Sequence, residues 1–274
     1  MFGYPTLNSL YISFTKFDIT TKPVWVGFAN YKFMFTQDPL FWIAVKNTLW
    51  IVIIGVPVQI VTALLITFLV SKSGRLRHVL QTVVLIPSFV PVVAGAMVFT
   101  YILNPIYGPV NAFLRLIGFS NPPMWFYDPQ SSKWGLVFFG AWGVGTSIVI
   151  YSAALMRIPR QIDWLAQIDG LTEWRKAVRI TFPLISPVIF YTLVVETIQQ
   201  FQIFAKSYVV TAQVPDPENS MYFLATDVYN SGFKDFHFGY AAALGWALTI
   251  LTGIFVALIF STQRMWVFSN AKQD

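Results

Sequence analysis

Five apolar stretches, at residues 41–70, 79–103, 134–156, 183–210 and 238–263, govern what this chain can fold into. Each matches or exceeds the roughly 20 residues that a helix needs to cross the hydrocarbon core of a bilayer. Only 11% of the residues are charged. A water-soluble domain carries roughly 25%, and surface-to-volume scaling leaves it too many exposed positions to hide so much apolar side chain. In lipid every backbone polar group must be satisfied within the protein, which selects helices. The sequence therefore predicts an all-α membrane protein, a polytopic helical bundle with five full spans. Pro87 and Pro91 interrupt the second stretch, where neighbours or a cavity must satisfy the freed backbone groups. Gly135, Gly140, Gly143 and Gly145 give the third a face that permits close helix approach.

The charges assign an orientation. Lys72, Arg75, Arg77, Arg157, Arg160, Arg175, Lys176, Arg179, Arg264 and Lys272 fall in one set of loops. Asp18, Asp38, Asp128, Asp216, Glu218, Asp227 and Asp235 fall in the other. The positive-inside rule then puts residues 71–78, 157–182 and the C-terminus in the cytoplasm, and residues 104–133 and 211–237 outside. Five spans with an inside C-terminus leave Met1 outside, yet residues 1–40 contain no signal peptide. Tyr4–Phe14 reads as the outer end of a span whose first half lies upstream. The alternative is a five-span chain with a re-entrant start. The domain reading is residues 1–40 as span remnant and outer segment, 41–264 as the membrane domain, and 265–274 as a cytoplasmic tail.

Several chemistries are excluded or disfavoured. The chain has no cysteine and two histidines, His78 and His237, so a metal site is not expected. No basic patch with interleaved aromatics points to nucleic acid. No phosphate-binding G-x4-G-K-[ST] loop is present, so the chain itself has no ATP site of that kind.

Residues 157–182 are too long and too patterned for a plain connector. Pro159 suits the first turn of a helix. Gly170 suits the left-handed position just past a helix end. Thr172 suits the N-cap of a second helix, with Arg175, Lys176 and Arg179 near its C-terminal part. Pro183 then starts the next span. Trp164, Leu165, Ile168, Leu171 and Trp174 lie among the charges. Apolar groups rimmed by charge suit a docking surface, and equally an interfacial helix with tryptophans at headgroup level.

This segment resembles the signature loop of binding-protein-dependent ABC importer permeases, whose pattern is E-A-A-x3-G-x9-I-x-L-P. Ala166, Gly170, Ile180 and Pro183 match at the right spacing, while Trp164, Leu165 and Phe182 depart from it. Ile158-Pro159, Ile168-Asp169-Gly170, Trp174 and Pro187 resemble the carbohydrate-uptake branch. The similarity extends through residues 26–31, Asn47-Thr48, Leu85-Ile86-Pro87, Trp142, residues 201–204 and residues 239–243. The first-listed permease of maltose-, trehalose- or glycerol-3-phosphate-type systems is the nearest pattern. The resemblance implies a type I ABC importer permease fold. It implies an ATPase-coupling element at Asp163, Trp164, Leu165, Ala166, Ile168, Asp169 and Gly170. It also implies partners: a second permease subunit, a cytoplasmic ATPase dimer carrying ATP-Mg, and an external solute-binding protein. The substrate would be a sugar, and the location a bacterial or archaeal inner membrane. No cofactor is expected in this chain. The absent family Glu at Trp164 implies a substitute contact, from Asp163 or from packing of Trp164.

Glu196 lies midway along the fourth stretch, and ionisable groups inside a membrane usually face a cavity or a partner. Gln199, Gln200 and Gln202 add hydrogen-bonding capacity, with Phe201, Phe204 and Tyr208 beside them. Such a mixture suits a hydroxyl-rich ligand, with Glu196, Gln199, Gln200, Gln202 and Phe204 as candidate pathway residues. A Glu–Gln network joining two permease subunits is the other reading. Lys206 reads as a cation snorkelling to the outer interface. Among other classes, an ion-coupled secondary transporter requires repeated halves and several intramembrane charges, which this sequence lacks. A membrane enzyme requires a polar constellation at one interface, and the two histidines fall on opposite sides.

Overall fold

The structure is a computed structural model that describes residues 3–168 and 170–268, excluding the side chains of Arg160, Asp163 and Gln167. The chain opens with α1 (Gly3–Ser13) and a two-stranded antiparallel ribbon, β1 (Thr15–Lys16) with β2 (Val24–Trp25), in which Thr15 faces Trp25 and Lys16 faces Val24. Then come α2 (Ala29–Thr36), α3 (Pro39–Ser71), α4 (Arg77–Leu85), α5 (Val92–Ile102), α6 (Pro109–Leu116), α7 (Ser132–Trp142) and α8 (Gly145–Met156). The remainder is α9 (Arg160–Ile168), α10 (Glu173–Lys176), α11 (Phe182–Phe201), α12 (Ala205–Gln213), α13 (Leu224–Tyr229) and α14 (Phe238–Trp266).

Among the described residues, three helices are long and apolar enough to cross a membrane: α3 at 33 residues, Glu173–Phe201 at 29 and α14 at 29. Two bent pairs bring the number to five if each is one span. The first pair turns by 99° between Gly74–Phe89 and Val92–Ile102. Val90 is extended, with φ −72° and ψ 124°, because the following Pro91 forbids it the helical region. The second pair turns by 46° at residues 143–144. There the Gly143 carbonyl accepts from Ser88 Oγ at 3.3 Å, which restores the bond lost at the break.

The fourth stretch differs from the sequence expectation. Its helix does not begin at Pro183, because α10 continues through a π-helical turn, Ala177–Thr181, directly into α11. It ends at Phe201 instead of running to 210, and α12 starts anew after Phe204, whose φ −134° and ψ −66° are not helical. Pro183 follows the π-helical turn inside this continuous helix. Nothing local in the sequence marks the break at residues 202–204.

The chain divides into two compact units. The first comprises residues 1–54, 92–139 and 198–255. Its core gathers Met34, Phe41, Ala44, Leu224 and Leu244. Asp38 caps α3 by accepting from the Leu40 and Phe41 N–H groups at 2.8 and 3.3 Å, and Tyr240 donates to its other oxygen. Asn47 donates to the carbonyls of Asn219 and Tyr222 at 2.8 and 2.9 Å, and Thr48 Oγ1 accepts from the Leu224 N–H at 3.1 Å. The loop so held contains two consecutive non-glycine residues at positive φ, Glu218 and Asn219, both at 54°. Such residues persist only where surrounding contacts over-determine them, and Asn47 is one of those contacts.

The second unit comprises residues 55–91, 140–197 and 256–274. Ala63, Val144, Ile148 and Tyr151 form its core. Here α8 lies against α4 so closely that a Cβ on Gly145 would fall 2.5 Å from Ser88 Oγ and 2.7 Å from the Val84 carbonyl oxygen.

Candidate functional site

The 157–182 segment is built as two capped helices in the second unit. Gly170 has φ +65°, the left-handed conformation that glycine adopts without Cβ strain. The Leu171 N–H reaches back to the Ala166 carbonyl at 3.0 Å, satisfying one of the carbonyls orphaned at the end of α9. Thr172 is extended, and its Oγ1 accepts from the Arg175 N–H at 3.4 Å. The caps expected from Gly170 and Thr172 are therefore both present.

The side chains of α9 sort sharply. Ala166 is buried at 2% exposure, whereas Trp164, Leu165 and Ile168 are 62%, 60% and 80% exposed. Trp174 is 71% exposed on α10. An apolar display on one short helix and its neighbour suits a docking surface and equally an interfacial helix with tryptophans at headgroup level. The Asp163 side chain and Asp169, both expected in the coupling set, lie outside the described residues. The segment is tied to the end of α3 by an ion pair between Lys72 and Glu173 at 3.2 Å. Both side chains are exposed, so solvent screening holds its contribution to at most about 1 kcal/mol.

The candidate pathway residues are divided between the units. Glu196 belongs to the second, five residues before α11 ends, and not at the middle of a longer span as the sequence suggested. Its Oε1 accepts from Ser147 Oγ at 3.1 Å. One turn away on the same two helices, Tyr151 and Thr192 share a hydroxyl–hydroxyl bond. The two polar rungs join α8 to α11 within one chain. Sequence reasoning missed Ser147, although its place two residues after Gly145, on a close-packed face, was an available signal.

Gln199, Gln200, Gln202 and Phe204 belong to the first unit. Gln199 and Gln202 are exposed, and Gln200 is 5% exposed. Phe204 packs with Tyr208 and Tyr229 at ring separations of 5.0 and 4.8 Å, and Tyr229 stacks on Phe233 at 5.4 Å. Tyr229 and Phe233 come from a segment that the sequence left as loop. Lys206 places its Nζ 5.4 Å from the centre of the Phe139 ring, a cation–π contact that the snorkelling expectation did not include. Among the described residues no group of three or more His, Cys, Asp or Glu side chains is placed to hold a metal ion.

Asp227, on α13, was not singled out by the sequence. It is 3% exposed and accepts from the Tyr222 hydroxyl at 2.9 Å. Burial, joined by the negative charges of Asp38 and Asp235, pushes its carboxyl up to about 6 against the hydrogen bonds from Tyr222 and Ser231. A carboxyl raised on folding stabilises the protein fully below its unfolded value near 4, and that contribution is lost as pH rises through about 6. Thermal unfolding in detergent is therefore expected to fall between pH 4 and pH 7, with roughly 3 kcal/mol at stake. Asp227→Asn should flatten the profile; an unchanged slope in that variant would remove Asp227 as its source.

The comparisons with known proteins agree with this architecture. Residues 55–267 match the family model described as "Binding-protein-dependent transport system inner membrane component". The chain is 29% identical over 273 residues to the probable ABC transporter permease protein YesP of Bacillus subtilis, covering 98% of this chain and 87% of that protein. It is 30% identical over 267 residues to the lactose transport system permease protein LacF of Rhizobium radiobacter, covering 95% and 88%. Among solved structures, it is similar to a chain of a bacterial ABC transporter involved in the import of the acidic polysaccharide alginate. That likeness has a TM-score of 0.80 at 26% identity and covers 96% of this chain and 90% of the other. A family match running from the middle of α3 to the end of α14, on a fold shared with a solved importer, places the chain among the binding-protein-dependent transport system inner membrane components.

Proposed function

We propose that this permease is one of two different membrane subunits of an ATP-driven importer of mono- or oligosaccharides or related polyols. The observation that carries the coupling part is α9, a short capped helix displaying Trp164, Leu165 and Ile168 to solvent. It suits the cleft of an ATPase subunit, which supplies the ATP-Mg site that this sequence lacks. An apolar display of this kind substitutes for the family glutamate at Trp164. The sugar part rests on the relatives' descriptions as lactose and alginate transport components, together with the amide and aromatic groups near residues 196–204. On this reading residues 157–182 and the C-terminus face the cytoplasm, an external solute-binding protein delivers the sugar, and alternating access moves it inward.

The test is uptake by the assembled transporter in proteoliposomes. Labelled sugar should accumulate only with internal ATP and external binding protein, and ionophores should leave accumulation intact. Uptake that survives inactivation of the ATPase sinks the proposal in favour of an ion-coupled transporter. Within the same assay Glu196→Ala is expected to lower uptake about tenfold, the worth of one hydrogen bond to a charged group. Basal ATP hydrolysis should stay near that of the parent protein. Uptake equal to the parent's would assign Glu196 no part in the pathway.

A further inference from the structure

The first unit buries a carboxylate that no positive charge balances. Asp227 is 3% exposed, and the charged groups acting on it are two further carboxylates, Asp38 and Asp235. No ammonium, guanidinium or imidazole acts on it or pairs with it among the described residues. Asp38 is itself engaged, capping α3 and accepting from Tyr240. Buried charges in proteins are paired or coordinate a metal ion.

Three oxygens on the same segment are shielded from solvent and have no hydrogen-bond partner among the described residues: Thr226 Oγ1, Asp227 Oδ2 and Asn230 Oδ1. Thr226 is 6% exposed. Tyr222 donates to the other Asp227 oxygen, Oδ1, at 2.9 Å, and Ser231 also supports the carboxyl. Neither meets Oδ2 with hydrogen-bonding geometry. The Asn230 amide donates to the Tyr222 hydroxyl, which in turn donates to Asp227. The NH2 end of Asn230 is therefore taken, and its carbonyl oxygen is the free end. Spacings of three and four along α13 and the π-helical turn Asn230–Lys234 put residues 226, 227 and 230 on one face. Buried acceptor oxygens on one face, without donors, are the ligand type of a hard cation.

We propose that Thr226, Asp227 and Asn230 hold a hard cation, sodium or calcium, against the buried carboxylate. The ion supplies the missing positive charge, and one carboxylate, one hydroxyl and one amide oxygen begin its shell. The donor set is all oxygen, with no nitrogen or sulfur to favour zinc or copper. Among the described residues no three His, Cys, Asp or Glu side chains gather as a metal site, so neutral oxygens carry the larger share of the coordination. Such a mixture suits ions that accept many weak oxygen ligands. The bound ion would fix α13 beside the start of α3, where Asp38 adds its negative field. The pH profile expected above is that of the cation-free protein. The site depends on neither the sugar nor the ATPase reading, because its ligand and its assay involve neither.

The test is thermal unfolding of the assembled, detergent-purified transporter, prepared with a chelator in N-methylglucamine chloride. Sodium, calcium or magnesium chloride is then added at matched ionic strength and one neutral pH. Sodium in the tenth-molar range, or calcium in the millimolar range, is expected to raise the transition by several degrees, as a ligand well above its dissociation constant does. A shift with sodium alone assigns sodium, and a shift with calcium assigns calcium; both support the site. Asp227→Asn should lose the response. Asn230→Asp adds a second carboxylate and should lower the calcium concentration for half the shift by about tenfold. An asparagine with a merely structural part would give no such gain. No shift by sodium or calcium in the parent overturns the proposal, whether or not the variants fold. An equal shift by magnesium, whose retained waters a buried face excludes, marks general screening and also overturns it. So does an undiminished response in Asp227→Asn.

Discussion

Replacing Gly170 by valine is expected to cut ATP-driven uptake at least tenfold while the transporter still assembles. The reason is backbone conformation and not crowding. Among the described residues, and apart from its chain neighbours, nothing lies within 4 Å of a Cβ at this position, yet Gly170 holds φ +65°. An L-residue in the left-handed region costs roughly 1–2 kcal/mol, and a β-branched one is disfavoured further. The least costly relief is rotation of the backbone at residue 170, which breaks the Leu171 N–H to Ala166 bond and re-aims α9 relative to α10. The exposed Trp164, Leu165 and Ile168 then no longer present together to a partner, and a misplacement of about 1 Å is enough to cost orders of magnitude in a positioned step. The strain argument makes a graded prediction. Gly170→Asn, which tolerates the left-handed region, should retain most uptake, and Gly170→Ala should fall between asparagine and valine. Uptake and complex yield measured on the same preparations decide the matter. Wild-type uptake by the valine variant would sink the coupling role of this segment.

The second large effect is expected at Gly145, and there crowding is the cause. Its Cβ would meet Ser88 Oγ at 2.5 Å, the Val84 carbonyl oxygen at 2.7 Å and Leu85 Cα at 2.9 Å. Two of these are backbone atoms of the facing helix α4, so relief requires moving α4 from α8. Overpacking of this kind costs about 1–3 kcal/mol. Separation also disturbs the break at residues 143–144, where Ser88 serves the Gly143 carbonyl. Gly145→Ala should therefore lower the thermal transition of the purified protein by several degrees, and Gly145→Leu should prevent folding to a stable product. Gly245→Ala is the matched control: it lies inside α14 with nothing within 4 Å of the added carbon. Removing a helical glycine there should be neutral or stabilising by up to about 1 kcal/mol. Equal transitions for the 145 and 245 alanine variants would mean that the α4–α8 approach is looser than described.

Gly170 and Gly145 also separate what is readable locally from what is not. Gly170 is legible in the sequence because a glycine between an apolar-patterned helix and a Thr N-cap has a local meaning, and the structure has that cap. Gly145 belonged to a glycine-rich face whose partner the sequence did not name. The partner is α4. The same limit explains the fourth stretch. Apolar residues recur past residue 201, at Ile203, Phe204, Ala205, Tyr208, Val209 and Val210, so the apolar stretch is read as one helix to 210, but the break at residues 202–204 has no proline or glycine to announce it.

The sequence by itself determined the class of protein, the apolar segments and the two caps of the 157–182 segment. It did so because bilayer thickness and backbone conformation act on neighbours in the chain. Only the tertiary structure decided that Asn47 holds the loop at residues 219–222, that Ser147 is the partner of Glu196, and that Arg77 shares a cavity with Lys176. Those facts depend on which helix faces lie together. Residues 172, 49 and 99 positions apart acquire a meaning only when packing brings their segments together.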